Sequence, residues 1–255
     1  MKRILVIGIG AGDPDHLTVQ AIAALNRADV FFVMDKSPAK DALVALRREI
    51  CRRHVKDRPY RFVDAEQPGR SVPAAGYRAG VLEQHRAKQA IWERLFAEEL
   101  KEGECGAFLV WGDPALYDST IRILRAIVAK GVAIDYEVIP GISSLQVLAA
   151  RHRIPLNRIG EPVTITTGRK LAQGFPEGAD SVVVMLDGEE AYLRYADQDM
   201  EIFWGAYLGM PHEILIAGPL RDVAGEIHRR RAEARAAHGW MFDIYLLRRR
   251  VPGEI

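Results

Sequence analysis

Three glycine–proline bends, each directly after an apolar run, constrain this chain more than any other feature. Ile4-Leu5-Val6-Ile7 runs into Gly8-Ile9-Gly10-Ala11-Gly12-Asp13-Pro14. Ala107-Phe108-Leu109-Val110-Trp111 runs into Gly112-Asp113-Pro114-Ala115-Leu116-Tyr117. Tyr136-Glu137-Val138-Ile139 runs into Pro140-Gly141-Ile142-Ser143-Ser144. Short apolar runs closed by glycine and proline read as buried strands followed by turns. In an open α/β sheet, ligands bind outside the carboxyl ends of the strands. The bends are therefore expected to wall one pocket. Glycine there lets a bare backbone approach a small molecule closely.

The rest of the chain alternates in the same way. Strands are predicted at 3–8, 30–34, 60–63, 106–111, 134–139, 162–167, 181–186, 201–206 and 242–248. Helices are predicted at 17–27, 38–53, 76–101, 118–130, 143–152, 188–195, 211–216 and 222–238. Asp15 and Thr18 are capping candidates for the first helix. Residues 67–73 read as a loop and 217–220 as a break. His228-Arg229-Arg230-Arg231 reads as a solvated helix face. This alternation predicts two α/β domains, residues 1–115 and 116–255.

With 255 residues, the chain has room for one large α/β domain or two smaller ones. No apolar run reaches the roughly 20 residues of a membrane helix, so no membrane association is expected. Met1-Lys2-Arg3-Ile4 leads straight into a strand without a cleavage-site pattern, so no signal peptide is expected. Net charge is +1, which gives no case for nucleic acid. Arginine outnumbers lysine 27 to 8. A ligand rich in carboxylates would account for that bias, because the guanidinium fork grips carboxylates. A GC-rich genome, which favours arginine codons, is the simpler account of the count, so the count alone decides nothing. Cys51 and Cys105 form no paired motif, which places the protein in a reducing cytoplasm. Cys51 and His54 are three apart, but no second zinc half-site exists, and no metal is expected.

Gly8-x-Gly10-x-Gly12 after a first strand invites a dinucleotide-binding reading, with Asp35 as the ribose acid. The sixth position of that fingerprint should be Gly or Ala. Here it is Asp13, followed by Pro14, so the turn does not run straight into a helix. A dinucleotide-dependent oxidoreductase stays as a minor alternative.

Taken together, the motifs resemble the tetrapyrrole (corrin and uroporphyrinogen) methyltransferase family. Val6 to Thr18 is similar to that family's opening motif, with Ala11 where many members have proline. Phe108 to Tyr117 is similar to its second signature and Val138 to Gln146 to its third. Three further stretches point to a deacetylating branch of the family. They are Ala75-Gly76-Tyr77 with Gln84-His85-Arg86-Ala87, then Val183 to Gly188, then Ala206 to Ile214. The resemblance implies a non-Rossmann methyltransferase of two α/β domains with a cofactor cleft between them. It implies S-adenosylmethionine held largely by backbone. The implied contacts are Ala11, Trp111, Gly112, Asp113, Leu116, Ser143, Ser144, Met185, Tyr207, Leu208 and Gly209. It implies a homodimer and a tetrapyrrole substrate, precorrin-5, methylated at ring carbon 1 with release of acetate. A sibling activity on another ring carbon stays open.

Methyl transfer from a sulfonium needs an in-line carbon nucleophile, so positioning dominates. Deacylation also needs water, an oxyanion donor and a base. Asp35, at the end of a strand, is a base candidate. Tyr77 and His85 lie eight apart, so they share one helix face. Arg70, Arg78, Arg86 and Tyr117 are candidate substrate contacts. His16 is a weaker base candidate, and a loop role is the simpler account of it.

Overall fold

The unbroken run of buried side chains in the first strand decides the architecture. In β1 (Lys2–Gly8), Ile4, Leu5, Val6 and Ile7 are all fully buried, so both faces of the sheet must be covered. The computed structural model describes residues 1–34, 41–65 and 77–250. It divides by compactness into two units, Met1–Ser143 and Ser144–Ile255.

The first unit is a parallel five-stranded sheet. Its other strands are β2 (Val30–Val33), β3 (Arg61–Asp64), β4 (Cys105–Val110) and β5 (Ile134–Ile139), and the order is β3-β2-β4-β1-β5. Helices α1 (Val19–Leu25) and α2 (Asp41–His54) cover one face, where Leu5, Ile7, Ala24, Leu25, Ile50 and Cys51 pack together. Helices α3 (Tyr77–Glu99) and α4 (Thr120–Ala129) cover the other, where Ile4 and Val6 meet Trp92, Phe96, Ile123 and Leu124. After β1 the chain moves to one side of the sheet, towards β2. After β4 it moves to the other, to β5. The topological switch point therefore lies between β1 and β4, where open α/β sheets form their ligand crevice.

The second unit is a mixed sheet, β6-β7-β10-β8-β9. Its strands are β6 (Val163–Thr167), β7 (Ser181–Met185), β8 (Met200–Ala206), β9 (Ile214–Pro219) and β10 (Asp243–Arg249). Only β6 and β7 are parallel to each other; the remaining pairs are antiparallel. Helix α7 (Leu220–His238) covers the face bearing Ile202, Trp204 and Tyr245. Helix α5 (Ser144–His152) covers the opposite face, where Leu148 sits against Gly205. A short helix α6 (Gly168–Leu171) follows β6.

Four expectations are corrected. The domain break expected after residue 115 falls after Ser143, because β5 pairs with β1 along its length and α4 packs on the first sheet. The segment 211–216, expected as a helix or a short turn, is a turn at Pro211 and His212 followed from Ile214 by β9, which pairs with β8 from Ala206↔Ile214 onward. The break expected at 217–220 is the end of that strand and the start of α7. Finally, Arg231 does not belong to a solvated face. It is 3% exposed, with Nε 2.9 Å from Asp243, a terminal nitrogen 2.9 Å from Glu190, and another donating to the Asp187 carbonyl.

Candidate functional site

The three bends meet at the switch point of the first sheet. The Ile9 N–H donates to the Val110 carbonyl at 2.9 Å. Gly10 and Gly112 then form an isolated antiparallel bridge, with N–H to O=C distances of 3.3 and 2.8 Å. Both glycines are left-handed, at φ of 80° and 67°. Asp113 ties the second bend to the third: Oδ2 accepts from the Gly141 N–H at 2.9 Å, and Oδ1 from the Ala115 N–H at 2.8 Å. Leu116 closes the bend by donating to the Asp113 carbonyl at 3.2 Å. The Asp113 carboxylate thus braces the loops.

The glycines divide into two kinds. A Cβ on Gly141 would lie 2.1 Å from the Gly112 oxygen, and one on Gly8 would lie 2.5 Å from the Gly141 nitrogen. These two residues let backbone pack on backbone, which differs from the ligand approach expected of them. A Cβ on Gly112 would meet only the Ser143 Cα, at 3.8 Å. That space, bordered by the second and third bends, is where a ligand can approach bare backbone. Ser143 borders it and is 2% exposed, and Ala11 in the first bend is 4% exposed. Trp111 and Leu116 are half-buried, and Tyr117 is exposed with a left-handed backbone, φ 51°.

The dinucleotide alternative has no seat here. Asp13 caps a single 3-10 turn, Pro14–His16, by accepting from the Asp15 N–H at 2.9 Å. Helix α1 starts only at Val19, where Thr18 Oγ1 accepts from the Ala21 N–H at 3.0 Å. Of the two capping candidates, Thr18 does that work. No helix N-terminus follows the first bend directly, so the pyrophosphate seat of the fingerprint is absent among the described residues. His16 folds back so that its Cβ lies 2.6 Å from where a Gly10 Cβ would be.

In the second unit, β7 and β8 both run antiparallel to β10, so their carboxyl ends share one edge. Met185 and Tyr207–Gly209 leave from that edge. Two bulky residues there are left-handed, Leu186 at φ 55° and Tyr207 at φ 51°. Such conformations cost roughly 1–3 kcal/mol each and concentrate at functional sites. They are held by what surrounds them. The Tyr207 ring is buried, and its hydroxyl donates to the Trp240 carbonyl with the Ala234 carbonyl also in reach at 3.3 Å. Asp187, next to Leu186, accepts from the Ala191 N–H at 2.7 Å, the Tyr245 hydroxyl at 2.6 Å and the Glu189 N–H at 3.1 Å. The Gly209 N–H donates to Glu213 at 2.8 Å. Leu208 is buried against Gly205, and Ser144 opens α5.

Asp35 and Arg70 lie outside the described residues, as does the side chain of Tyr77, which opens α3. His85 is half-buried on α3. Burial holds its imidazole below the usual range, Lys88 and Arg122 add to that shift, and Asp118 opposes it. Arg78 and Arg86 are exposed on the same helix. Sequence reasoning missed Lys88 and Trp92. These continue the His85 face at i+3 and i+7 and line a cavity of about 190 Å³ at the carboxyl ends of β2 and β4. Among the described residues no cluster of His, Cys, Asp or Glu suits a metal ion. Cys51 is buried and its thiol is pushed up to about 12 by burial, which suits packing rather than ligation.

Comparison with known proteins agrees with this geometry. The profile of the Tetrapyrrole (Corrin/Porphyrin) Methylases matches residues 3–224. A "Precorrin-6A synthase [deacetylating]" of Sinorhizobium sp is 52% identical over 250 residues, covering 98% of this chain and 96% of that protein. A solved cobalamin synthesis related protein (CobF) of Corynebacterium diphtheriae superposes with a TM-score of 0.83 at 36% identity, over 97% of this chain and 98% of that one. The uroporphyrin-III C-methyltransferase of Thermus thermophilus, solved with S-adenosyl homocysteine, shares the fold. Its TM-score is 0.56 at 18% identity, over 96% of this chain and 91% of that one.

Proposed function

This chain belongs to the tetrapyrrole (corrin/porphyrin) methylase family, and on that premise we propose that it methylates precorrin-5 at ring carbon 1, releasing acetate and giving precorrin-6A. The observation that carries this reading is the 52% identity, over nearly the full length of both chains, to a deacetylating precorrin-6A synthase.

When bound, S-adenosylmethionine supplies a methyl group on a sulfonium. The residues present fit it: the space in front of Gly112 is what a side chain there would fill, and Ser143 borders it. Ala11, Trp111, Gly112, Asp113, Leu116 and Ser143 are the proposed contacts in the first unit. Ser144, Met185, Tyr207, Leu208 and Gly209 are those in the second. Fixed backbone holds its ligand in one pose, and that serves an in-line transfer.

Over the whole turnover, one water adds its oxygen to the acetyl carbon. The carbon–carbon bond to the ring breaks, and its electron pair stays on ring carbon 1 for the incoming methyl group. Acetate and two protons leave. His85, whose imidazole burial holds below its usual range, is proposed to accept a proton from water. Asp35 and Tyr77 are proposed with it, and Arg70, Arg78, Arg86 and Tyr117 are proposed for the carboxylates of the substrate. The enzyme is further proposed to be a cytoplasmic homodimer without nucleic-acid or membrane partners. Its two free, buried cysteines agree with a reducing compartment.

The test is turnover. His85→Gln, Asp35→Asn and Tyr77→Phe should each bind S-adenosylhomocysteine as wild type does in calorimetry. At least one should release acetate from precorrin-5 about 10²–10⁴-fold more slowly. Wild-type release in all three would remove these residues from the site.

A further inference from the structure

The connection from β8 to β9 is longer than the two strands require. Ala206 pairs with Ile214, so residues 207–213 close an antiparallel pair that a two-residue turn could close. Two residues of this strap are left-handed, Tyr207 at φ 51° and Gly209 at φ 77°. For the tyrosine that conformation is strained and must be held from outside. At the start of the strap the Tyr207 N–H donates to the Phe242 carbonyl at 2.9 Å, and its buried ring stands edge-on to Trp240 with centroids 5.1 Å apart. In the middle, Leu208 and Leu148 of α5 fill the space beside Gly205, 2.7 and 3.0 Å from where its Cβ would be. At the end, the Gly209 N–H donates to Glu213 Oε2 at 2.8 Å.

Two successive turns bring Glu213 back to Gly209. The Met210 N–H donates to the Tyr207 carbonyl at 2.9 Å, and the Glu213 N–H to the Met210 carbonyl at 3.0 Å. The other carboxylate oxygen, Oε1, accepts from the Arg151 guanidinium of α5. The Glu213 side chain is 10% exposed, and that of Arg151 is 55% exposed. Burying a carboxylate is costly, and a largely solvated arginine returns little of that cost as stability. An apolar side chain would fill the same place without the penalty. It could not accept the Gly209 N–H, which fixes the direction of that peptide. Arg151 also joins the strap to α5, the helix that opens at Ser144.

We infer that Glu213 is a positioning residue for S-adenosylmethionine. Its carboxylate, steadied by Arg151, sets the Gly209 peptide and so the shape that Tyr207-Leu208-Gly209 presents to the cofactor. The inference rests on the function proposed above, in which those three residues bind the cofactor. Glu213 acts through Gly209 and not on the methyl group. Without it the strap must be ordered at the moment of binding, and that cost is taken from affinity.

The experiment uses the full protein and calorimetry with S-adenosylhomocysteine, with urea unfolding to identify folded variants. Glu213→Ala should bind roughly tenfold or more weakly than wild type. Glu213→Gln keeps the length and an oxygen for the Gly209 N–H, and exposed Arg151 can turn to solvent, so its affinity should stay within about threefold of wild type. Glu213→Asp keeps the charge but is one methylene shorter, and should lose affinity as Glu213→Ala does. It decides the question if Glu213→Ala does not fold. In turnover with precorrin-5, folded Glu213→Ala should raise KM for S-adenosylmethionine by the same factor and leave kcat within about threefold of wild type. A structural role alone would lower kcat through loss of active protein and leave KM unchanged. Wild-type affinity in folded Glu213→Ala or Glu213→Asp overturns the assignment. So does an equal loss in Glu213→Gln and Glu213→Ala, or a fall in kcat at unchanged KM. If wild type binds S-adenosylhomocysteine but releases no acetate from precorrin-5, the proposed function falls, and calorimetry still decides the role of Glu213. Folded wild type that does not bind S-adenosylhomocysteine overturns both.

Discussion

The glycines at the switch point should respond to alanine in opposite ways, because one touches backbone and the other faces open space. In Gly141→Ala the new Cβ would lie 2.1 Å from the Gly112 oxygen and 2.8 Å from Gly8. Backbone on both sides cannot rotate away, so the bends must separate by about an ångström, an overpacking strain of the kind that destabilises cores. That movement breaks the paired Gly10–Gly112 bonds and the Gly141 N–H bond to Asp113. At about 1 kcal/mol for each neutral bond and about 1.5–3 for the charged one, the loss is roughly 3.5–5 kcal/mol. In Gly112→Ala the nearest atom is 3.8 Å away, and the cost is the left-handed backbone, about 1–2 kcal/mol. Urea unfolding should therefore rank wild type above Gly112→Ala and Gly112→Ala well above Gly141→Ala. Ligand binding should show a different pattern. Gly112→Ala, still folded, should lose affinity for S-adenosylhomocysteine, because its methyl group stands in the proposed cofactor space. A Gly141→Ala protein within 1 kcal/mol of wild type would refute the packing argument. Wild-type affinity in Gly112→Ala would refute the cofactor argument.

Other consequences are equally direct. Arg231→Met leaves Asp243 and Glu190 without their buried cation and should cost about 3–5 kcal/mol in denaturant unfolding. A loss under 1 kcal/mol would mean that the ion pairs are incidental. Asp187→Asn turns an acceptor of three bonds into a partial donor facing the Ala191 N–H and the Tyr245 hydroxyl, and should cost roughly 3 kcal/mol. Thermal melts of the variant check this. Burial holds His152 below the usual imidazole range, while its Nε2–H donates to the Trp204 carbonyl at 3.0 Å. The unfolded chain therefore takes up this proton at higher pH than the folded one. Stability from His152 is complete above about pH 6.5 and is lost as pH falls below that value. His152→Gln should flatten the decline below about pH 6.5, and an unchanged slope would exclude His152 as its source.

The parts of this fold that were legible are those in which one segment carries its own signal. β1, β4 and β5 were marked by apolar runs ending in glycine and proline. α3, α5 and α7 were marked by helical periodicity and found within two residues of their ends. β9 was not legible, because Ile214-Leu215-Ile216 is a short apolar run without a period that separates helix from strand. The domain boundary was misplaced because pairing of β5 with β1 is a contact between distant segments that no local pattern announces. The three bends were expected to come together and do meet at the switch point, but the division of work among their glycines was not legible. Whether a missing Cβ serves loop packing at Gly141 or a ligand at Gly112 depends on what faces it. Arg231 looked like one of a solvated cluster because its partners, Asp243 and Glu190, lie on other elements. The cavity at the carboxyl ends of β2 and β4 was hidden for the same reason: Arg47 comes from α2, Lys88 and Trp92 from α3, and Thr120 from α4.

The most direct test of the account is a single balanced turnover. The purified protein is incubated without oxygen with precorrin-5 and S-adenosylmethionine carrying a ¹³C methyl group, and both carbon products are counted. The account predicts equal amounts of acetate and of a tetrapyrrole bearing the labelled methyl group on ring carbon 1. A labelled product that retains its acetyl group, or a label on another ring carbon, would contradict it and point to a sibling methylation.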